Sequence, residues 1–154
     1  MMNKRNDFIC IGAVHSDYIL RLKQNYFKNR TNPINQEENL GGVAYNIAKK
    51  LSFLNQNTKL YSLNCNKEQK KEIRQQGIKF KTLNKEITQR YYTSILNQNG
   101  KMILGLANMD NYDLLTDCKN LKNFKNKNII LDLNLSAELI KKIIDNNYMN
   151  NYIC

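Results

Sequence analysis

An open, largely parallel α/β sheet flanked by helices is the fold class this sequence predicts, and three observations predict it. Phe8-Ile9-Cys10-Ile11-Gly12-Ala13-Val14 is an unbroken apolar run rich in β-branched residues, the pattern of a strand covered on both faces. From Gly42 the period changes to a helical one, with Val43, Ile47, Leu51 and Leu54 in one stripe and Ala44 and Ala48 filling it. A second buried strand, Asn128 to Leu133, is followed by Ser136 as a helix cap and by Leu139, Ile140, Ile143 and Ile144 on one helical face. Strands that alternate with helices pack as a parallel sheet with helical layers.

The remaining elements follow in order. Phe8 to Val14 gives the first strand, and Gly41-Gly42 sits at a helix entrance. Lys59 to Leu63 reads as a short buried strand. Asn66 to Gln76 reads as a charged helix stopped by Gly77, which tolerates the left-handed conformation of a helix end. Arg90 to Leu96 and Lys101 to Leu106 flank Asn97-Gln98-Asn99-Gly100, an Asn-Gly turn between two strand-like runs, which predicts a β-hairpin. The Asn-rich pieces 120–128 and 146–151 read as a loop and a frayed tail. A sheet that stopped at the Ile129 to Leu133 strand would leave an unpaired edge there.

One domain is the expectation for 154 residues with 42% apolar content. The formal net charge of +11 raises the question of a nucleic-acid partner, yet the lysines are dispersed among abundant Asn, Ile and Tyr and form no basic stripe. Nucleic-acid binding is therefore the lesser reading. Cys10, Cys65, Cys118 and Cys154 are too far apart in sequence to show metal or redox spacing, and a reduced, cytoplasmic setting is expected. The longest apolar stretches are too short to cross a bilayer, and no leader pattern opens the chain.

Ligands of open α/β sheets settle beyond the carboxyl ends of the strands. Asp17 falls just past the first strand, where a carboxylate can accept hydrogen bonds from two neighbouring sugar hydroxyls; read plainly, it is a turn or cap residue. Gly41-Gly42 would bring bare backbone amides to a ligand at a helix start, or would only make a tight turn. Asn46, one turn into that helix and between two stripe residues, is expected to be partly buried, with a donor and an acceptor to offer; the alternative is a solvated helix position. Asp132 and Asn134 form a further polar pair at the exit of the late strand. His15 is the single histidine, too little for a triad or a metal centre, and no metal site is expected. Neither a phosphate loop with its lysine nor a dinucleotide fingerprint occurs.

The run Gly41-Gly42-Val43-Ala44-Tyr45-Asn46-Ile47-Ala48-Lys49-Lys50-Leu51-Ser52-Phe53-Leu54 resembles the first signature of the PfkB, or ribokinase-like, carbohydrate kinases. Ile11 to Asp17 stands where that family has a strand, a glycine and a substrate-binding aspartate. Tyr92 to Leu96, Ala107 to Tyr112 and Leu131 to Ser136 are similar to segments of the pseudouridine kinase branch, in the same order.

The resemblance implies a partial ribokinase-like sheet over residues 1–154, the N-terminal part of the kinase domain, with a small β lid from strands roughly in 18–36 and 90–106. The first lid strands are placed near Tyr18 to Lys23 and Thr31 to Gln36. It also implies ATP- and Mg2+-dependent phosphorylation of a sugar or nucleoside hydroxyl. Carried over to matching positions, Asp17 and Asn46 hold sugar hydroxyls and Gly41 and Gly42 approach the sugar through backbone; Thr93 and Asp110 are further substrate-binding candidates. Two departures accompany it. Asn64-Cys65-Asn66-Lys67-Glu68 replaces the family's Gly-Asp loop, and the Gly-Ala-Gly-Asp segment that supplies the anion hole and catalytic base does not occur. No catalytic residue, and no nucleotide site, is thus expected in these residues, and the chain alone is expected to be inactive. A complementary kinase chain or a second copy is the partner implied, with a sugar- or nucleoside-binding module as the alternative function.

Overall fold

The computed structural model describes residues 6–85, 90–110, 115, 121 and 123–154. Cys118, and Asn111 and Tyr112 of the kinase-like segment, lie outside them. Two sheets organise the chain. The larger contains β1 (Asp7–Ile11), β4 (Asn57–Ser62), β5 (Lys79–Thr82), β8 (Asn128–Leu131) and β9 (Asn151–Ile153), in the order β5-β4-β1-β8-β9 with every neighbouring pair parallel. The smaller contains β2 (His15–Leu22), β3 (Ile34–Gly41), β6 (Arg90–Leu96) and β7 (Met102–Asn108), in the order β3-β2-β6-β7. Helices α1 (Val43–Phe53), α2 (Lys67–Gln75) and α3 (Ala137–Asn146) cover the larger sheet.

The alternation of strand side chains splits the core into two clusters, one on each face of the larger sheet. Ile9, Ile11, Ile129 and Leu131 point to the side where α3 brings Leu139 and Ile143. Cys10, Leu60 and Ile130 point to the other side, against Ala44, Tyr45 and Ala48 of α1 and Ile73 of α2. This double covering explains why β1 reads as an apolar run rather than an alternating one.

Several expectations are corrected. The first strand ends at Ile11 rather than Val14, because Gly12 turns the chain with φ 152 and a Cβ there would lie 2.1 Å from the Asp132 Cβ. In α1 the buried stripe centres on Ala44, Tyr45 and Ala48, whereas Val43 and Leu54 are about half exposed. The second lid strand begins at Ile34, not Thr31, and runs on to Gly41.

The Asn-rich tail is not frayed. Asn147 is buried, accepting from the Phe124 amide and donating to the Ile143 carbonyl, and Asn150 accepts from the Lys127 amide. These side chains hold the tail so that β9 pairs with β8, so β8 is not an open edge; α3 makes the crossover that a parallel partner requires.

Capping went as the sequence suggests. Ser136 Oγ accepts from the Leu139 amide, Gly77 takes φ 76 after α2, and Asn97 Oδ1 closes the β6–β7 turn by accepting from the Asn99 and Lys101 amides.

Two predictions follow from the ends of β1. Gly12→Ala combines an unfavourable φ with an impossible contact and is expected to lower stability by about 3 kcal/mol in urea denaturation. At the other end, the hydrogen bond from Lys127, assisted by one from Asn57, holds the Asp7 carboxyl below its usual range. A depressed folded-state value stabilises above the unfolded value and is lost as pH falls through the folded one. Asp7→Asn is therefore expected to flatten the acid limb of a stability–pH profile and to leave its shape above pH of about 6 unchanged.

Candidate functional site

The carboxyl end of the larger sheet is assembled around the exit of β1. Its neighbours grip it from both sides: the Gly12 amide donates to the Tyr61 carbonyl, the Val14 amide to Ser62 Oγ, and the Ala13 amide to Asp132 Oδ2 at 3.0 Å. Asp132, 5% exposed, spends its other oxygen on the Asn134 amide and side chain. The Asp132–Asn134 pair does lie at the expected edge, but it is a latch between β8 and β1 whose acceptors are taken. Asn134 itself is exposed.

From this latch the chain enters β2, and Asp17 is its third residue. Asp17 pairs in antiparallel register with Asn39, and His15 with Gly41, so their side chains leave one face of the smaller sheet. A Cβ on Gly41 would lie 2.1 Å from Asp17 Oδ2: the carboxylate rests directly on the glycine backbone. Its other oxygen is 2.9 Å from His15 Nδ1, too poorly aligned for a hydrogen bond, and the Asp17 side chain stays 35% exposed.

Gly42 follows with φ 109, and a Cβ on it would meet the Ala13 carbonyl at 2.3 Å. It caps α1, whose first turn carries no acidic residue and no side-chain cap. The Tyr45 amide bonds back to the Ala13 carbonyl, which fixes the helix start against the β1 exit. A partly exposed carboxylate, glycine backbone and a helix start without a side-chain cap thus meet at one place, and the carboxylate there can accept hydrogen bonds from hydroxyl groups.

The other candidates fare differently. Asn46 is exposed rather than partly buried; its amide bonds to the Gly42 carbonyl and its side chain makes no hydrogen bond among the described residues. The helix turns its small residues inward, which leaves position 46 on the solvent side. Thr93 pairs with Tyr18 and not with Asp17, so it projects from the opposite face of the smaller sheet. Asp110 is exposed, just beyond the end of β7, at the same end of the sheet as Asp17 but two strand spacings, roughly 10 Å, from β2. Asn39 and Tyr92, register partners of Asp17, share its face and were missed in the sequence; only the pairing register reveals them.

Around this contact Asp17 is partly exposed and Asn46 exposed, whereas Gly41 and Gly42 are buried. One hollow, of about 290 Å3, sits behind the smaller sheet, where Ser16 Oγ donates to Glu38 and accepts from Gln69 of α2. Tyr45 donates to Glu72 across the same region, and burial with the Glu72 charge pushes its phenol up to about 12. Burial likewise pushes the Cys10 and Cys65 thiols up to about 12, which keeps them protonated. Among the described residues no three His, Cys, Asp or Glu side chains gather to hold a metal, and no helix is long and apolar enough to cross a membrane.

Because a Cβ at Gly42 meets backbone and one at Gly41 meets only a movable carboxylate end, Gly42→Ala is expected to cost about 3 kcal/mol and Gly41→Ala about 1 kcal/mol in chemical denaturation. Equal losses would contradict this geometry.

No family model matches the chain. Over 116 residues it is 28% identical to a pseudouridine-metabolizing bifunctional protein of Schizosaccharomyces pombe, covering 70% of this chain and 16% of that protein. A carbohydrate kinase from Agrobacterium tumefaciens superposes with a TM-score of 0.78 at 21% identity, over 97% of this chain and 53% of its own. A ribokinase from Cryptococcus neoformans in complex with ADP gives 0.67 at 13% identity, over 92% and 45%. The chain spans about half the length of these solved structures. With these superpositions, and with the resemblance to the PfkB carbohydrate kinases upheld, the parallel sheet and its three helices form a partial ribokinase-like fold.

Proposed function

We propose that this chain supplies the sugar-holding half of a ribokinase-type phosphotransferase, with a sugar or nucleoside as its ligand and pseudouridine as the first nucleoside to test. The observation that carries the reading is the contact of Asp17 with Gly41 beside the start of α1, which has no side-chain cap. Placed there, a carboxylate accepts from two neighbouring hydroxyls, and the absence of a Cβ on Gly41 is what lets it sit against the backbone before α1. The proposed set is Asp17, Gly41, Gly42 and Asn46, with Asp110 at the same end of the smaller sheet; Thr93 drops out because it faces away. Asn39 and Tyr92 join it as residues of the face that closes over the sugar, with the smaller sheet acting as the lid.

In this reading ATP with Mg2+ is the phosphate donor, as the resemblance implies and as the ADP bound to the Cryptococcus ribokinase fits. The described residues do not fit either group: they hold no carboxylate cluster for the metal, and the sequence has no Gly-Ala-Gly-Asp segment to cradle the transferred phosphate. Phosphoryl transfer depends on positioning and charge stabilisation, so the anion hole and base would come from chain or partner outside these residues. A cytoplasmic setting accords with this chemistry.

Calorimetric titration tests the reading. Pseudouridine or ribose is expected to bind, Asp17→Asn to weaken binding by about tenfold or more through loss of charge-assisted hydrogen bonds, and the 154-residue chain with ATP and Mg2+ to give no turnover. Unchanged affinity in Asp17→Asn would sink the assignment of the carboxylate. Robust turnover would sink the division of labour.

A further inference from the structure

Helix α2 sorts its charges by face. Glu68 and Glu72, four residues apart, line the hollow behind the smaller sheet, whereas Lys70 and Arg74, also four apart, line a separate hollow of about 420 Å3 at the carboxyl ends of β4 and β5. Like charges at this spacing repel, and exchanging one from each pair would have stabilised the helix instead. Opposite Lys70 and Arg74, the second hollow receives Lys81 from β5 and Lys85 just beyond it. Four of its seven lining residues are cationic and none is acidic.

Lys70 donates to Asn64 Oδ1, and Asn64 in turn donates to the Lys85 carbonyl, so one side chain ties two of the cationic positions together. Among the described residues no carboxylate pairs with Arg74, Lys81 or Lys85. Tyr61 and Phe80 also border the hollow. A concavity of this size, walled by cations that no carboxylate among the described residues neutralises, carries an electrostatic cost that a dianion in it would remove.

We propose that this hollow is a binding site for the phosphate group of a small phosphorylated molecule, separate from the Asp17 shelf. The guanidinium of Arg74 suits two phosphate oxygens at once, and the Lys81 ammonium adds a point charge. The proposal does not depend on the sugar-holding reading, because its ligand is charged and its residues are different.

The test is titration of the purified chain at low salt with inorganic phosphate, ribose 5-phosphate and neutral ribose, following the amides of β5 and α2 by NMR. Both phosphates are expected to shift those amides and ribose to leave them still. The double substitution Arg74→Gln with Lys81→Gln is expected to weaken phosphate binding by about tenfold or more. Lys28→Gln with Lys125→Gln, two exposed lysines elsewhere, is expected to change it less than about twofold. Tighter binding of ribose 5-phosphate than of phosphate would identify an ester as the ligand, and equal binding the free ion; either supports the site. Absence of shifts with both phosphates, equal losses in the two double variants, or binding of a single-stranded oligonucleotide alone would overturn it. All four substituted side chains are exposed, so an unchanged thermal melt will show that the variants fold.

Discussion

Everything at the carboxyl edge depends on the buried carboxylate of Asp132. It accepts from the Ala13 amide on one oxygen and organises the Asn134 turn with the other, so the exit of β8 and the exit of β1 become one unit. Two backbone donors and a side-chain amide offset the desolvation of a charge that would otherwise be costly to bury. Gly12 is the other half of the contact, because only a residue without Cβ lets the two loops approach this closely. Fixing Ala13 has two further effects. Its carbonyl accepts from the Tyr45 amide and crowds Gly42, which places the start of α1, and the residues after it run straight into β2. The position of Asp17 over Gly41 is thus the downstream result of a latch two turns of chain away.

The smaller sheet is held to this base by apolar as well as polar contacts: Leu40 of β3 packs against the cluster of Cys10, Ala44 and Ile73. Ser16 of β2 bridges Glu38 of β3 and Gln69 of α2. Strand β7, at one outer edge, is exposed along its whole length.

Much of the fold was legible because it rests on local chemistry: the double-faced strand around Ile9, the Ser136 cap, the Gly77 stop and the Asn97–Gly100 turn each follow from residues close in sequence. What escaped the sequence depends on register and on long-range contacts. Thr93 and Tyr92 are neighbours, and only the pairing of β6 with β2 decides which of them shares a face with Asp17. The tail looked unstructured because asparagines favour loops, yet Asn147 and Asn150 use that same hydrogen-bonding capacity to satisfy the Phe124 and Lys127 backbone and hold β9 in place. Asn46 was judged by its neighbours in the stripe, and the helix rotated so that its alanines, not Val43, met the core.

The central claim is that the glycine-lined shelf under Asp17 is where a polyhydroxylated ligand sits. Amide-resolved NMR during addition of pseudouridine measures this directly. The account predicts that the largest shifts fall on Asp17, Asn39, Gly41, Gly42 and the first turn of α1. Shifts confined to the opposite, amino-terminal edge of the larger sheet, around Asn57 and Lys59, would contradict it.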